Sequence, residues 1–430
     1  MKAIIRAFKN MFHKQKFFFE SLFWGTLAGI FSQGLNFIAN VLIARLLGEQ
    51  LLGEYTLFVS ANAGLHTFGV IGLNVIGTVL VAKHLYNKQK ISKIIPAIYT
   101  IVCSASLFIS LIGITVHYLP TSFKIWETSS SIITLLAAIW FLTSAIDLVQ
   151  IAILLGFKAF KDVAKVSLLK GIIAIAVIYV LVEKFGVNGG ILGNAISFIL
   201  SLGCNYYYIR KNCKRQGIVL DWKHTKECFP EIFKISIPIF GAAIFVAPAQ
   251  WFSNYLIFNH DKGDVALSIF SIAYQWLVLI QFFPLQISKV ALPILTSQVE
   301  SPDYKKTEKI GLLFSISIAI IIVLLSYIFM RFIIQDLYHF DYSLAKNVFG
   351  IILLTGLFST INLYLGQTII ASGYTWGRTL ADAVIATTLI ISVLLIYKYD
   401  IILALPISYL ISFTLGTCVL YLFKRRHAKN

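Results

Sequence analysis

Five ionisable side chains lie where lipid should be: Lys170, Lys234, Lys289, Asp147 and Asp382 fall inside long apolar runs of a 430-residue chain. A carboxylate is too short to reach far toward water, so each aspartate needs a cation, water or a proton. A lysine can lay its stem along apolar surface and keep its ammonium at the headgroups. The lysines therefore read in two ways. Either each snorkels separately, or the three, all near the same end of their runs, surround an opening and neutralise a lipid diphosphate headgroup. On the second reading Asp147 and Asp382 hold lysines in place or serve as proton or Na⁺ sites. Arg45 closes the first run near the opposite end. It either pairs with Glu49 or Glu54, or takes part in gating and headgroup release.

Uncharged polar residues form stripes. Gln33, Asn36 and Asn40 recur at i, i+3, i+7; Asn62 and His66, and likewise Gln250 and Asn254, recur at i, i+4. Each set shares one helix face. Lipid would leave these groups unpaired, so they face either neighbouring helices or a wet cavity. Amides suit sugar hydroxyls because each offers both a donor and an acceptor. Trp24, Trp140, Trp251 and Trp276 either stack on sugar faces or simply pack. Pro238, Pro248, Pro284 and Pro293 cluster in two neighbouring runs. A proline removes a backbone donor and kinks a helix, so Pro238, Pro248 and Pro284 are candidate hinges for a lateral gate, or else static kinks.

The elements that must position these residues are twelve apolar runs: 21–46, 52–82, 94–118, 129–156, 166–183, 188–209, 230–258, 265–297, 309–332, 346–371, 376–397 and 401–423. Each is long enough to cross a bilayer, for which a helix needs ~20 mostly apolar residues. An apolar share of 58% and a mean hydropathy of +0.83 exclude an ordinary soluble domain. The expected fold is an all-α membrane protein of twelve transmembrane helices. Charge sets its orientation. Of 36 Lys+Arg, 26 fall on the N-terminal side of the spans and seven on the other, the rest being the three lysines within them. The positive-inside rule puts both termini in the cytoplasm. It also accounts for the net charge of +17 without nucleic acid. The basic opening stretch, with Ile4, Ile5, Phe8, Met11 and Phe12 at helical spacing, reads as an interfacial helix over 1–20 rather than a cleavable signal. None of the five cysteines falls in an external loop, so no disulfide framework is expected.

A basic linker, 211–229, divides the chain into halves. The expected organisation is an interfacial helix (1–20), a six-helix lobe (21–210), the linker, a second six-helix lobe (230–423) and a basic tail (424–430). A faint repeat supports duplication. "LLGEYTLFVSAN" (51–62) resembles "DVALSIFSIAYQ" (264–275), and "LLGFKAF" (154–160) resembles "ASGYTWG" (371–377). The two offsets are nearly equal. Parallel duplication of a six-helix unit gives two lobes that rock about a site between them. External loops are short, the longest over 332–346, which argues against a membrane glycosyltransferase or polymerase. No HExxH, GxSxG, phosphate-cradling GxxxxGK[ST] or metal-spaced Cys/His pattern occurs, so neither enzymatic chemistry nor a cofactor is expected.

Several stretches resemble polysaccharide exporters of the multidrug/oligosaccharidyl-lipid/polysaccharide (MOP) superfamily, and O-antigen flippases in particular. They are "FWGTLAGIFSQGLNFIANVLIARLLGEQLLGEYTLF" (23–58), "LLGFKAFKDVAKVSLLKGI" (154–172), "ISIPIFGAAIF" (235–245) and "GQTIIASGYTWGRTLADAV" (366–384). The resemblance implies two six-helix lobes in a V around a cationic cavity. It also implies transport of undecaprenyl-diphosphate-linked oligosaccharide across the bacterial inner membrane, from the cytoplasmic to the periplasmic leaflet. Many members have an acidic residue in helix 7 where this chain has Asn254. Lipid II flippases of the superfamily resemble it less, having two further helices. Lys170, Lys234 and Lys289 would meet diphosphate, and the stripes of helices 1, 2 and 7 would meet sugars. H⁺ or Na⁺ and a polysaccharide polymerase are candidate partners. The rival reading is a cation-coupled multidrug antiporter of the same fold, for which acidic residues should dominate the cavity.

Overall fold

A computed structural model describes the backbone over 2–118, 131–297, 304–372 and 374–427. Side chains are described from Phe23 onward, except at 116–117, 131, 238–239, 242–243, 288–297, 304–307, 371, 375 and 427. The described residues form helices and no strands. In order these are α1 (Lys2–Val70), α2 (Leu73–Lys83), α3 (Lys88–Tyr118), α4 (Ser131–Gly156), α5 (Phe160–Gln216) and α6 (Phe229–Ala243). Then come α7 (Val246–Phe258), α8 (Gly263–Ser297), α9 (Tyr304–Ile328), α10 (Tyr342–Ala371), α11 (Thr375–Ile396) and α12 (Ile401–His427). Helix is the outcome because a backbone in lipid must satisfy its own hydrogen bonds.

Nine described helices are long and apolar enough to cross a membrane. Two of the nine are double. α1 breaks at Gly48 (φ 68°) and α5 at Gly186 (φ 57°), conformations that a Cβ would strain. α6 and α7 together supply the seventh expected run. Counting each double helix as two and α6–α7 as one broken span recovers the twelve runs.

Three local breaks differ from smooth helices, each with a cause. The expected run 52–82 ends its first helix at Val70, and Ile71 and Gly72 take positive φ before α2 begins. The 230–258 run breaks at 244–245 because Pro248 has no N–H to offer the Ile244 carbonyl; the ladder resumes with Ala249 N–H donating to Phe245 O at 3.2 Å. The 332–346 segment, expected as a loop, opens instead with a π-helical turn over Phe332–Leu337. Asp341 then caps α10, its carboxylate accepting from Ser343 N–H at 2.8 Å.

The described residues form two compact units. One holds those up to Ile237 apart from Ile43–Thr67; the other holds Ile43–Thr67 with those from Pro238 onward. In the first unit, Gly171 of α5 lies so close to Leu35 of α1 that an added Cβ would sit 2.4 Å from Leu35 Cδ1. The linker is strapped to α3: Asp221 N–H donates to Ser92 O (2.9 Å), Lys93 meets Glu227 (2.7 Å), and Trp222 packs on Tyr99. In the second unit, Phe270 and Tyr274 of α8 pack on Tyr409 of α12, with ring centroids 4.9 and 5.8 Å apart.

The close approach of Gly53 gives a sharp test. A Cβ there would lie 2.2 Å from the backbone oxygen of Asp264, an atom that cannot swing aside. Gly53→Ala should therefore destabilise the protein by about 3 kcal/mol. Gly34→Ala on the same helix meets nothing within 4 Å and should be neutral or slightly stabilising. Thermal unfolding in detergent compares the two; equal midpoints would contradict this packing.

Candidate functional site

Asp147 of α4 is 1% exposed, and both its carboxylate oxygens are engaged. Lys170 Nζ donates to Oδ2 at 2.8 Å. Ser201 Oγ and Asn205 Nδ2 donate to Oδ1 at 2.5 and 2.8 Å. The ammonium also lies 3.5 Å from the ring centroid of Phe198, and the lysine side chain remains 23% exposed. The fold explains the meeting. α5 turns back at Gly186, so Lys170 on its first segment faces Phe198 on its second, with Asp147 alongside. Charge-assisted bonds of this kind are the strong ones, and a buried carboxylate requires them.

The second unit holds a comparable group built from other residues. Arg378 and Asp382 stand one turn apart on α11. Arg378 Nε donates to Oδ2 at 2.9 Å, and NH2 lies 2.6 Å from Oδ1. Arg378 NH1 donates to Oδ1 of Asn362 on α10 at 3.0 Å. Gly366 makes the room, since a Cβ there would lie 2.4 Å from Arg378 NH1. Asn362 is buried and its Nδ2 has no partner among the described residues.

The remaining sequence candidates separate. Lys234 is exposed on α6, and among the described residues it forms no ion pair. Lys289 and Pro238 lie outside the residues whose side chains are described. Gln33 and Asn36 are exposed and Asn40 half-buried on α1. Asn62 is buried, with Oδ1 unpartnered among described residues, and His66 is half-buried. Gln250 hydrogen-bonds Tyr274, while Asn254 is buried with its Oδ1 unpartnered among described residues. Pro248 sits in the first turn of α7, just beyond a real break, whereas Pro284 lies within α8, which runs on through it. Arg45 NH2 lies 2.6 Å from His339 Nε2, and Glu49 instead accepts from Asp341 N–H at 2.8 Å.

Ser201, Asn205, Asn362, Arg378 and His339 were not among the sequence candidates. A signal existed for two pairs. Ser201 and Asn205, and Arg378 and Asp382, each stand at i, i+4, the spacing at which helix side chains share a face.

These long apolar helices define a multi-pass membrane protein, with ion pairs on several of them. A family model described as "Polysaccharide biosynthesis protein" matches residues 18–299, and the chain belongs to that family. It is 22% identical over 173 residues to the EPS I polysaccharide export inner membrane protein EpsE of Ralstonia nicotianae. The match covers 40% of this chain and 39% of that relative's length. A second relative, from Ralstonia solanacearum, matches to the same extent. Among solved structures, the lipid II flippase MurJ in an inward closed conformation aligns with TM-score 0.71 at 18% identity, covering 93% of this chain and 87% of that one. An inward-facing multidrug resistance MATE family transporter of the MOP superfamily aligns with TM-score 0.69 at 15% identity, covering 92% and 94%. The chain shares its fold with these two proteins.

Proposed function

We propose that this chain is a flippase that carries polyprenyl-diphosphate-linked oligosaccharide from the cytoplasmic to the periplasmic leaflet of a bacterial inner membrane, with both termini cytoplasmic. The observation that carries this reading is the polysaccharide-family match over 18–299 on an exporter fold. The physical task is to take a large polar headgroup through about 30 Å of hydrocarbon. Lys170 and Lys234 then neutralise diphosphate. The amides of Gln33, Asn36, Asn40, Asn62, Gln250 and Asn254 meet sugar hydroxyls, and the polyprenyl tail stays in lipid. Asp147 sets the position of Lys170. Asp382, already engaged by Arg378, acts as a charge partner rather than as a carrier of H⁺ or Na⁺.

Purified protein in vesicles loaded with fluorescent polyprenyl-diphosphate oligosaccharide in one leaflet tests this. The label should become accessible to a quencher on the far side only when the protein is present. Unchanged labelling, combined with cation-driven efflux of small organic cations, would overturn the flippase reading in favour of the antiporter. Turnover of a glycosyl donor by the same vesicles would instead favour a polymerising enzyme.

A further inference from the structure

The outer face of α5's second segment changes character step by step toward the lysine-rich end. Ile199 and Leu200 are exposed aliphatic side chains. About two turns on come the exposed rings of Tyr206 and Tyr207, then Arg210 and Lys211, then Lys214. Residues seven apart fall on one helix stripe, so Leu200, Tyr207 and Lys214 are in line. From Leu200 to Lys211 the helix rises about 16 Å, close to the depth of one leaflet's hydrocarbon. Apolar, aromatic and basic groups thus follow the order of a phospholipid's tail, glycerol and phosphate.

The cations here are also unlike those at neighbouring helix ends. Lys83 and Lys90 meet Glu231, Lys93 meets Glu227, and Lys424 meets Glu308. Among the described residues, Arg210, Lys211 and Lys214 form no ion pair with a carboxylate. Two of the three rest on tyrosines instead: Arg210 lies 5.9 Å from the Tyr206 ring, and Lys211 lies 5.8 and 5.6 Å from those of Tyr207 and Tyr208. Asp162, the nearby carboxylate, accepts from the Asn212 amide at 3.2 Å. A cation held on ring faces keeps its charge available to an anion.

We infer that the Tyr206–Lys214 stripe of α5 is a binding site for an anionic phospholipid of the surrounding leaflet. The phosphate sits between Arg210, Lys211 and Lys214, the glycerol region on the tyrosine rings, and an acyl chain against Ile199 and Leu200. Juxtamembrane cations attract anionic lipid additively, which makes three unneutralised ones selective for it over zwitterionic lipid. The inference does not depend on what the protein transports.

Delipidated full-length protein in neutral detergent, titrated with phosphatidylglycerol or phosphatidylcholine and read by native mass spectrometry, tests it. Wild type should retain phosphatidylglycerol in preference, and high salt should abolish the preference. The combined Arg210→Gln, Lys211→Gln, Lys214→Gln protein should bind phosphatidylglycerol at least about tenfold more weakly. Lys83→Gln with Lys90→Gln, whose cations are already paired, should leave the preference intact. Equal retention of the two lipids by wild type, a preference that survives in the triple variant, or equal loss in the paired-lysine control would each overturn the assignment. Should the triple variant not fold, the salt dependence and the paired-lysine control still decide.

Discussion

Alanine at Asp147 should produce a large loss of stability, about 3–5 kcal/mol, with Lys170→Ala costing nearly as much. The cause is not the lost attraction alone. Asp147 accepts from Lys170, Ser201 and Asn205, so its removal strands one ammonium and two neutral donors at once. Lys170→Ala conversely strands a carboxylate that is 1% exposed. The combination of Asp147→Asn with Lys170→Met should recover most of the loss, because the asparagine oxygen still accepts from Ser201 and Asn205 while no charge remains buried. A thermal-unfolding cycle of Asp147→Asn, Lys170→Met and their combination in detergent measures the coupling. Additive losses, with the double as unstable as the sum of the singles, would show that Asp147 and Lys170 do not support one another.

That pair also marks how far the sequence could be read. Periodicity and length placed nearly every span, since lipid forces helix wherever about 20 apolar residues run together. The breaks at Gly48 and Gly186 agree with the edges of the expected runs, because the neighbouring polar residues already interrupted the hydropathy. The partners were harder. Nothing in hydropathy distinguishes Ser201 from any serine that bonds its own backbone, as Ser197 does to Gly193 O. Only the turn at Gly186 brings it to Asp147. Arg378 falls at the edge of the expected run 376–397 and drew no attention there, yet in the first turn of α11 it is received by Asn362 of the preceding helix. Glu49 and Glu54 were the natural partners for Arg45 by sequence distance. The residue found there, His339, is 294 positions away, at a positive φ that the sequence gives no reason to anticipate.

A test of Lys170 and Lys234 in transport must spare the buried carboxylate. Removing Lys170 and Lys234 directly would confound transport with the buried carboxylate that Lys170 leaves behind. The cleaner protein carries Asp147→Asn and Lys170→Met, to remove the pair without stranding a charge, and adds Lys234→Gln, an exposed position with little expected effect on stability. If these cations meet diphosphate, this triple variant should lose translocation of polyprenyl-diphosphate oligosaccharide by about a hundredfold or more, since each charged hydrogen bond is worth about 1.5–3 kcal/mol. Its unfolding midpoint should stay near that of wild type. Lys234→Arg should retain most activity, because a guanidinium still binds phosphate oxygens. Vesicle assays on the wild type, the triple variant and Lys234→Arg separate charge from fold. A folded triple variant that moves glycolipid at the wild-type rate would remove both lysines from the transport path, whereas loss of transport in the Asp147→Asn, Lys170→Met protein without the Lys234 change would place the effect on Lys170 alone.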